Sequence, residues 1–83
     1  MAHVVLTTDL SRQFTGGEPR VDVEAGSIRH VVRELEARYP GLGSMIEQAG
    51  MMVAIDGEIY HDPFLEQVRE DSEVCFLPAL GGG

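Results

Sequence analysis

The chain has 83 residues, 43% of them apolar and 24% charged, and its 14 acidic side chains against 6 basic ones give a formal net charge of −8. That length holds one domain with a thin core, the composition is far from that of a disordered chain, and the charge excludes nucleic acid and anionic membrane as partners, since both would repel it. A lone Cys75 rules out an internal disulfide, three scattered His give no structural zinc pattern, and no apolar run approaches the roughly 20 residues of a spanning helix.

His3 to Thr8 is β-branched and apolar with Val4 and Leu6 on one face, which predicts a first strand. Thr15-Gly16-Gly17-Glu18-Pro19 has turn chemistry, and the strict alternation of Arg20 to Glu24 predicts a second strand with one wet face. Together they form an N-terminal hairpin. Ser27 then stands where a hydroxyl can cap a helix, and Ile28, Val31, Val32, Leu35 and Tyr39 recur at spacings of three and four along one helical face. Glu34 and Arg38 are spaced for an i,i+4 pair, and Pro40-Gly41 stops the helix.

Leu42 to Gly50 allows a short helical turn. Met51 to Ile55 is a strand-length apolar run, and Asp56-Gly57 before Glu58-Ile59-Tyr60 is a strong hairpin signal. Met45, Met51 and Met52 are the right kind of side chain to fill a core. Pro63-Phe64-Leu65 suggests a single helical turn, and Val74 to Leu77 a last strand stopped by Pro78. The fold class is therefore α+β: a mixed sheet covered by one main amphipathic helix, with a domain over residues 1–80 and a glycine tail over 81–83.

This order of elements, ending in Leu77-Pro78-Ala79-Leu80-Gly81-Gly82-Gly83, resembles the MoaD/ThiS family of ubiquitin-like sulfur carriers, which have a β-grasp fold. Thr15-Gly16-Gly17 and Leu35 to Leu42 look like the MoaD-like branch, which includes carriers used in cysteine synthesis. Family members usually carry Gly-Asp before the Glu-Val that opens the last strand. Asp71-Ser72 stands there in this chain, so a reshaped turn is expected. The tail also has three glycines where the family has two, which leaves Gly83 as the reactive terminus or as a residue removed to expose Gly82.

The resemblance implies a carrier rather than an enzyme. A MoeB- or ThiF-like adenylyltransferase would activate the C-terminal carboxylate at Gly83 or Gly82, with ATP and Mg supplied in that partner's own site. A sulfur donor would convert the adenylate to a thiocarboxylate, and a sulfur-accepting synthase would use it in molybdopterin or cysteine-type biosynthesis. No cofactor or metal is expected on the chain itself, which has no Walker-type loop and no paired base and nucleophile.

Glycine suits such a tail because, without Cβ, it passes a narrow channel and adopts any backbone angle the channel demands. Phe76, Leu77, Pro78, Leu80 and Gly81 are the expected partner contacts, although strand alternation makes one of Phe76 and Leu77 core. From Ser44 onward the acids dominate: Ser44 to Gly83 holds eight of them against only Arg69, a field that would steer a basic partner. Cys75 reads as a small packed or partner-facing residue rather than a nucleophile, His61-Asp62 as a turn, and Glu66, Glu70, Asp71 and Glu73 as a solvated face. The expected compartment is the cytoplasm. Two other classes fit the same residues: a protein modifier joined to target lysines, which could not build chains on itself because it has no Lys, and an interaction domain whose tail is never activated.

Overall fold

A computed structural model describes residues 1–78. The chain forms β1 (Ala2–Val5), a short α1 (Thr8–Leu10) running into a π-helical turn (Ser11–Thr15), β2 (Arg20–Val23), α2 (Ile28–Arg38), α3 (Leu42–Ala49), β3 (Met52–Ile55), β4 (Glu58–Tyr60), a 3₁₀ turn (Pro63–Leu65) and β5 (Glu73–Leu77). The five strands make one mixed sheet in the order β2-β1-β5-β3-β4. Only β1 and β5 run parallel; β1 with β2, β3 with β4 and β3 with β5 are antiparallel. The last strand thus lies at the centre of the sheet, clamped on both edges.

One face of the sheet is closed by the helices. Ile28, Val31 and Leu35 of α2 are 0% exposed and meet Val4, Val23, Val53, Val74 and Phe76 from the strands, while Leu42 and Ile46 of α3 fill the flank. The period of α2 explains this, since its apolar side chains fall on one stripe and its charged ones on the other. Ser27 caps it as expected, its Oγ accepting from the His30 amide at 3.2 Å. Asp56 and Gly57 take φ of 50° and 89°, the left-handed pair that a two-residue hairpin turn requires.

Four expectations need correcting. The first strand stops at Val5 instead of running on to Thr8, and the chain then turns helical: Thr7 caps it, with Leu10 N–H donating to Thr7 Oγ1 at 3.2 Å, and Leu10 and the partly buried Phe14 pack on the core. Leu42 to Gly50 holds a full eight-residue helix. Arg38 does not pair with Glu34; its Nη1 donates to the Asp22 carbonyl at 2.7 Å, because a fixed backbone acceptor on β2 lies within its reach. Met51 and Met52 are buried, but Met45 is 39% exposed on the outer side of α3.

Candidate functional site

Strand β5 carries the chain to its C-terminal end, and its alternation decides which residues a partner can touch. Val74 and Phe76 face the helices at 0% and 1% exposure, whereas Glu73, Cys75 and Leu77 face the opposite, uncovered side. Phe76 therefore does not serve as a surface contact, contrary to the expectation from sequence. It sits across from Val53 inside the core and fixes the exit strand from within. Leu77 is half-buried, stands opposite Met52, and Pro78 after it is exposed. The glycines at 81, 82 and 83 and Leu80 lie outside the described residues.

The register assembles an apolar band on this open face. Cys75 pairs with Val5 on one side and Ala54 on the other, and Ala54 pairs with Ile59. Val5, Cys75 and Ala54 are half-buried and Ile59 is 55% exposed. Leu77 carries the band on toward the exit, beside Met52, which is buried. A single open face of apolar side chains with a polar rim is the usual form of a protein-docking surface. Sequence reasoning missed Val5, Ala54 and Ile59 because no signal within one strand says which strands will lie side by side.

The far rim of the band is acidic. His3 pairs across the sheet with Asp22 and Glu73, and its Nδ1 lies 2.8 Å from Asp22 Oδ1 while its Nε2 lies 3.4 Å from Asp71 Oδ1. The His3 hydrogen bond, reinforced by Arg20, holds the Asp22 carboxyl below its ordinary range. Asp71 takes a φ of 63°, so the turn before β5 has the left-handed residue that glycine would occupy more easily. Ser72 is buried there and its Oγ accepts from the Arg69 amide at 3.0 Å. This turn is closed by the Ser72 side chain.

The Cys75 thiol is pushed up by burial and by the charge of Glu73, which favours its protonated form at neutral pH. A polar cleft of ≈ 250 Å³ lies beside the β3–β4 turn, lined by Asp56, Glu58, Tyr60 and Arg69 among others. It sits at the end of the sheet where β5 begins, away from the exit. Among the described residues no three of His, Cys, Asp and Glu converge as a metal-binding group, and no helix is long and apolar enough to cross a membrane.

The ThiS family model matches residues 6–83. No significant match is found among curated protein sequences. Among solved structures the chain is similar to CysO in the Amycolatopsis orientalis BexX/CysO complex, with a TM-score of 0.84, 23% identity and 100% of both chains covered. Mycobacterium tuberculosis CysO, described as an antigen, gives a TM-score of 0.83 at 20% identity over 96% of this chain and 100% of that one. SAMP1 from Haloferax volcanii gives 0.66 at 18% identity over 99% and 98%. At these identities the likeness is one of fold, the β-grasp.

Proposed function

Because the chain belongs to the ThiS family, we propose that it is a sulfur carrier whose C-terminal glycine carboxylate is adenylated and then converted to a thiocarboxylate. One observation carries this reading above the others: the family match runs through residue 83, so it includes the glycine tail as well as the domain that presents it.

The chemistry explains the architecture. A carboxylate is a poor electrophile, and reaction with the α-phosphorus of ATP, with loss of pyrophosphate, gives an acyl-adenylate with a good leaving group. A sulfur nucleophile then attacks the acyl carbon and AMP departs. The sequence carries no Walker-type loop, so in this reading a MoeB- or ThiF-like adenylyltransferase supplies ATP and Mg, and a synthase subunit takes the sulfur. Leu77 and the band behind it, Val5, Cys75, Ala54 and Ile59, form the docking surface in this reading, with Pro78 and Leu80 leading the tail away and Gly81 to Gly83 entering the partner's channel. Fully burying a Leu or Ile side chain contributes roughly 1.5–3 kcal/mol, enough for two or three such residues to anchor a partner. Asp22, Asp71 and Glu73 on the rim select a partner with basic residues around an apolar centre.

Support comes from the similar chain seen in a BexX/CysO complex, in which a carrier-like fold is held by another protein. The MoaD-like features in the sequence favour molybdopterin or cysteine-type biosynthesis as the destination of the sulfur.

Intact mass spectrometry tests the proposal. The full chain is incubated with ATP, Mg, sulfide and a ThiF-like or MoeB-like enzyme, and its C-terminal fragment is then weighed. A gain equal to the difference between sulfur and oxygen supports carriage, and the fragment's length tells whether Gly82 or Gly83 bears it. An unmodified terminus with activating enzymes of both kinds overturns it.

A further inference from the structure

The helical layer, on the other side of the sheet from the docking band, carries a second cleft, of mixed charge, in which two arginines stand without an ion-pair partner among the described residues. Arg29 and Arg33 stand one turn apart on α2 and line a cleft of ≈ 270 Å³ whose second wall is α3, through Gly43, Ser44 and Glu47. Like charges at this spacing repel, so the pair gains nothing for the helix itself. In a chain of net charge −8 a carboxylate partner would be easy to provide, yet among the described residues neither arginine lies within salt-bridge distance of one. One of the two carboxylates in the cleft, Glu36, is committed elsewhere: its two oxygens accept from the Gly41 and Ser44 amides at 2.8 and 3.0 Å.

Arg29 also joins this cleft to an apolar surface. Its guanidinium lies 5.9 Å from the centre of the Phe64 ring, and the next residue, Leu65, is 75% exposed, the most exposed of the large apolar side chains among the described residues. Phe64 packs partly on the core, which holds the 3₁₀ turn, and with it the Leu65 backbone, against α2.

We infer that Arg29, Arg33 and Leu65 form a second docking surface, for an acidic segment of a partner protein that carries an apolar side chain. Two unpaired guanidiniums select carboxylates. A free small anion would leave Leu65 uncovered, and a polyanion would be repelled by the rest of the molecule. Glu47 on the opposite wall gives the cleft a direction, since it favours a donor on that side of the bound segment. Because this surface and the Leu77 face lie on opposite layers, the chain can hold one protein here while another engages its tail. This goes beyond the sulfur-carrier reading and does not depend on it.

The test is an amide chemical-shift titration of the ¹⁵N-labelled full chain with two synthetic peptides, each holding one Leu and one Phe, one flanked by Asp and Glu and the other by Lys and Arg. The acidic peptide is expected to give saturable shifts confined to Arg29, Arg33, Ser44, Leu65 and their neighbours. The double variant R29E/R33E should lose about tenfold or more in affinity, R29K/R33K should lose less, since it keeps the charge without the guanidinium fork, and R12E, at an exposed arginine outside both surfaces, should leave it unchanged. Spectra elsewhere in each variant report that the fold is kept. Absence of saturable shifts, equal shifts with the basic peptide, or indifference to R29E/R33E overturns the inference. So does movement of the same amides on raising the chain's own concentration without peptide, which would assign the surface to a second copy.

Discussion

Phe76 and Leu77 are neighbours in β5 but face opposite sides of the sheet, Phe76 at 1% exposure against Val53 in the core and Leu77 half-buried beside Met52 on the open face. Their substitutions should separate stability from function. Phe76→Ala is expected to cost about 3–5 kcal/mol, a large share of what a domain this small possesses. Leu77→Arg should shift the denaturation midpoint by less than about 1 kcal/mol yet sharply reduce ATP–pyrophosphate exchange with an activating enzyme. A Leu77→Arg chain activated as well as the parent would remove the open face from the docking surface.

Cys75 lies in the middle of the same face, and its raised pKa makes a second separation possible. A thiol shifted upward has less thiolate at neutral pH, so alkylation by iodoacetamide at pH 7.5 should be slower than for an unstructured cysteine peptide. Cys75→Ser should support thiocarboxylate formation at the parent's rate, because the sulfur is carried on the terminus. Cys75→Glu should fail to dock, since it adds an unpaired charge between Val5 and Ala54. Loss of function in Cys75→Ser would give the thiol a role that its surroundings argue against.

Helices α2 and α3 approach closely at Gly43. A Cβ there would lie 2.8 Å from Glu36 Cβ and 3.0 Å from the Val32 carbonyl oxygen, so one helix must move to admit it. Gly43→Ala is expected to destabilise by about 1–3 kcal/mol. Gly50 makes a useful contrast, because its φ of 61° is left-handed but nothing lies within 4 Å of its missing Cβ. Gly50→Ala should cost only the backbone penalty of about 1 kcal/mol. Thermal unfolding of both variants checks the order, and a smaller loss for Gly43→Ala than for Gly50→Ala would contradict this account of the helix contact.

The elements that the sequence made legible are those whose signal is local. The apolar stripe of α2, its Ser27 cap and the Asp56-Gly57 turn each rest on residues within one or two turns of chain. Helix α3 has Leu42, Met45, Ile46 and Ala49 at helical spacing, but it runs for only eight residues between Gly41 and Gly50 and holds Gly43 in its first turn, which weakens its local helix signal. The turn after β1 hides Leu10 and Phe14 among polar neighbours, and Thr7, the residue that caps it, reads equally well as the end of a strand. The tail was visible because its glycines are contiguous. The open face was not, because Val5, Ala54, Ile59 and Cys75 come from four strands and meet only through the register of the sheet. The choice between Phe76 and Leu77 is likewise invisible to alternation alone, which fixes that they differ but not which one faces the helices.

The acid response follows from two carboxylates that accept backbone amides. The Gly41 and Ser44 N–H groups hold Glu36 below its ordinary 4.5, and the Glu73 N–H, with help from the Ser72 hydroxyl, holds Asp56 below 3.8. A carboxyl with a lower pKa when folded takes up a proton more readily when unfolded, so its contribution is complete above the unfolded value and is lost as pH falls through the folded one. Stability should therefore be nearly flat from neutrality down to about pH 5 and decline below 4.5. Glu36→Gln removes the charge that the start of α3 favours while keeping one acceptor, so it should lower the urea midpoint at pH 7 and flatten the decline below pH 4.5. Asp56→Asn should do the same at the β3–β4 turn, where Asp56 Oδ1 accepts from Glu73 N–H at 2.9 Å and ties that turn to the start of the exit strand. If the double variant Glu36→Gln/Asp56→Asn keeps the parent's full acid slope, other carboxylates carry it and these two contacts contribute little.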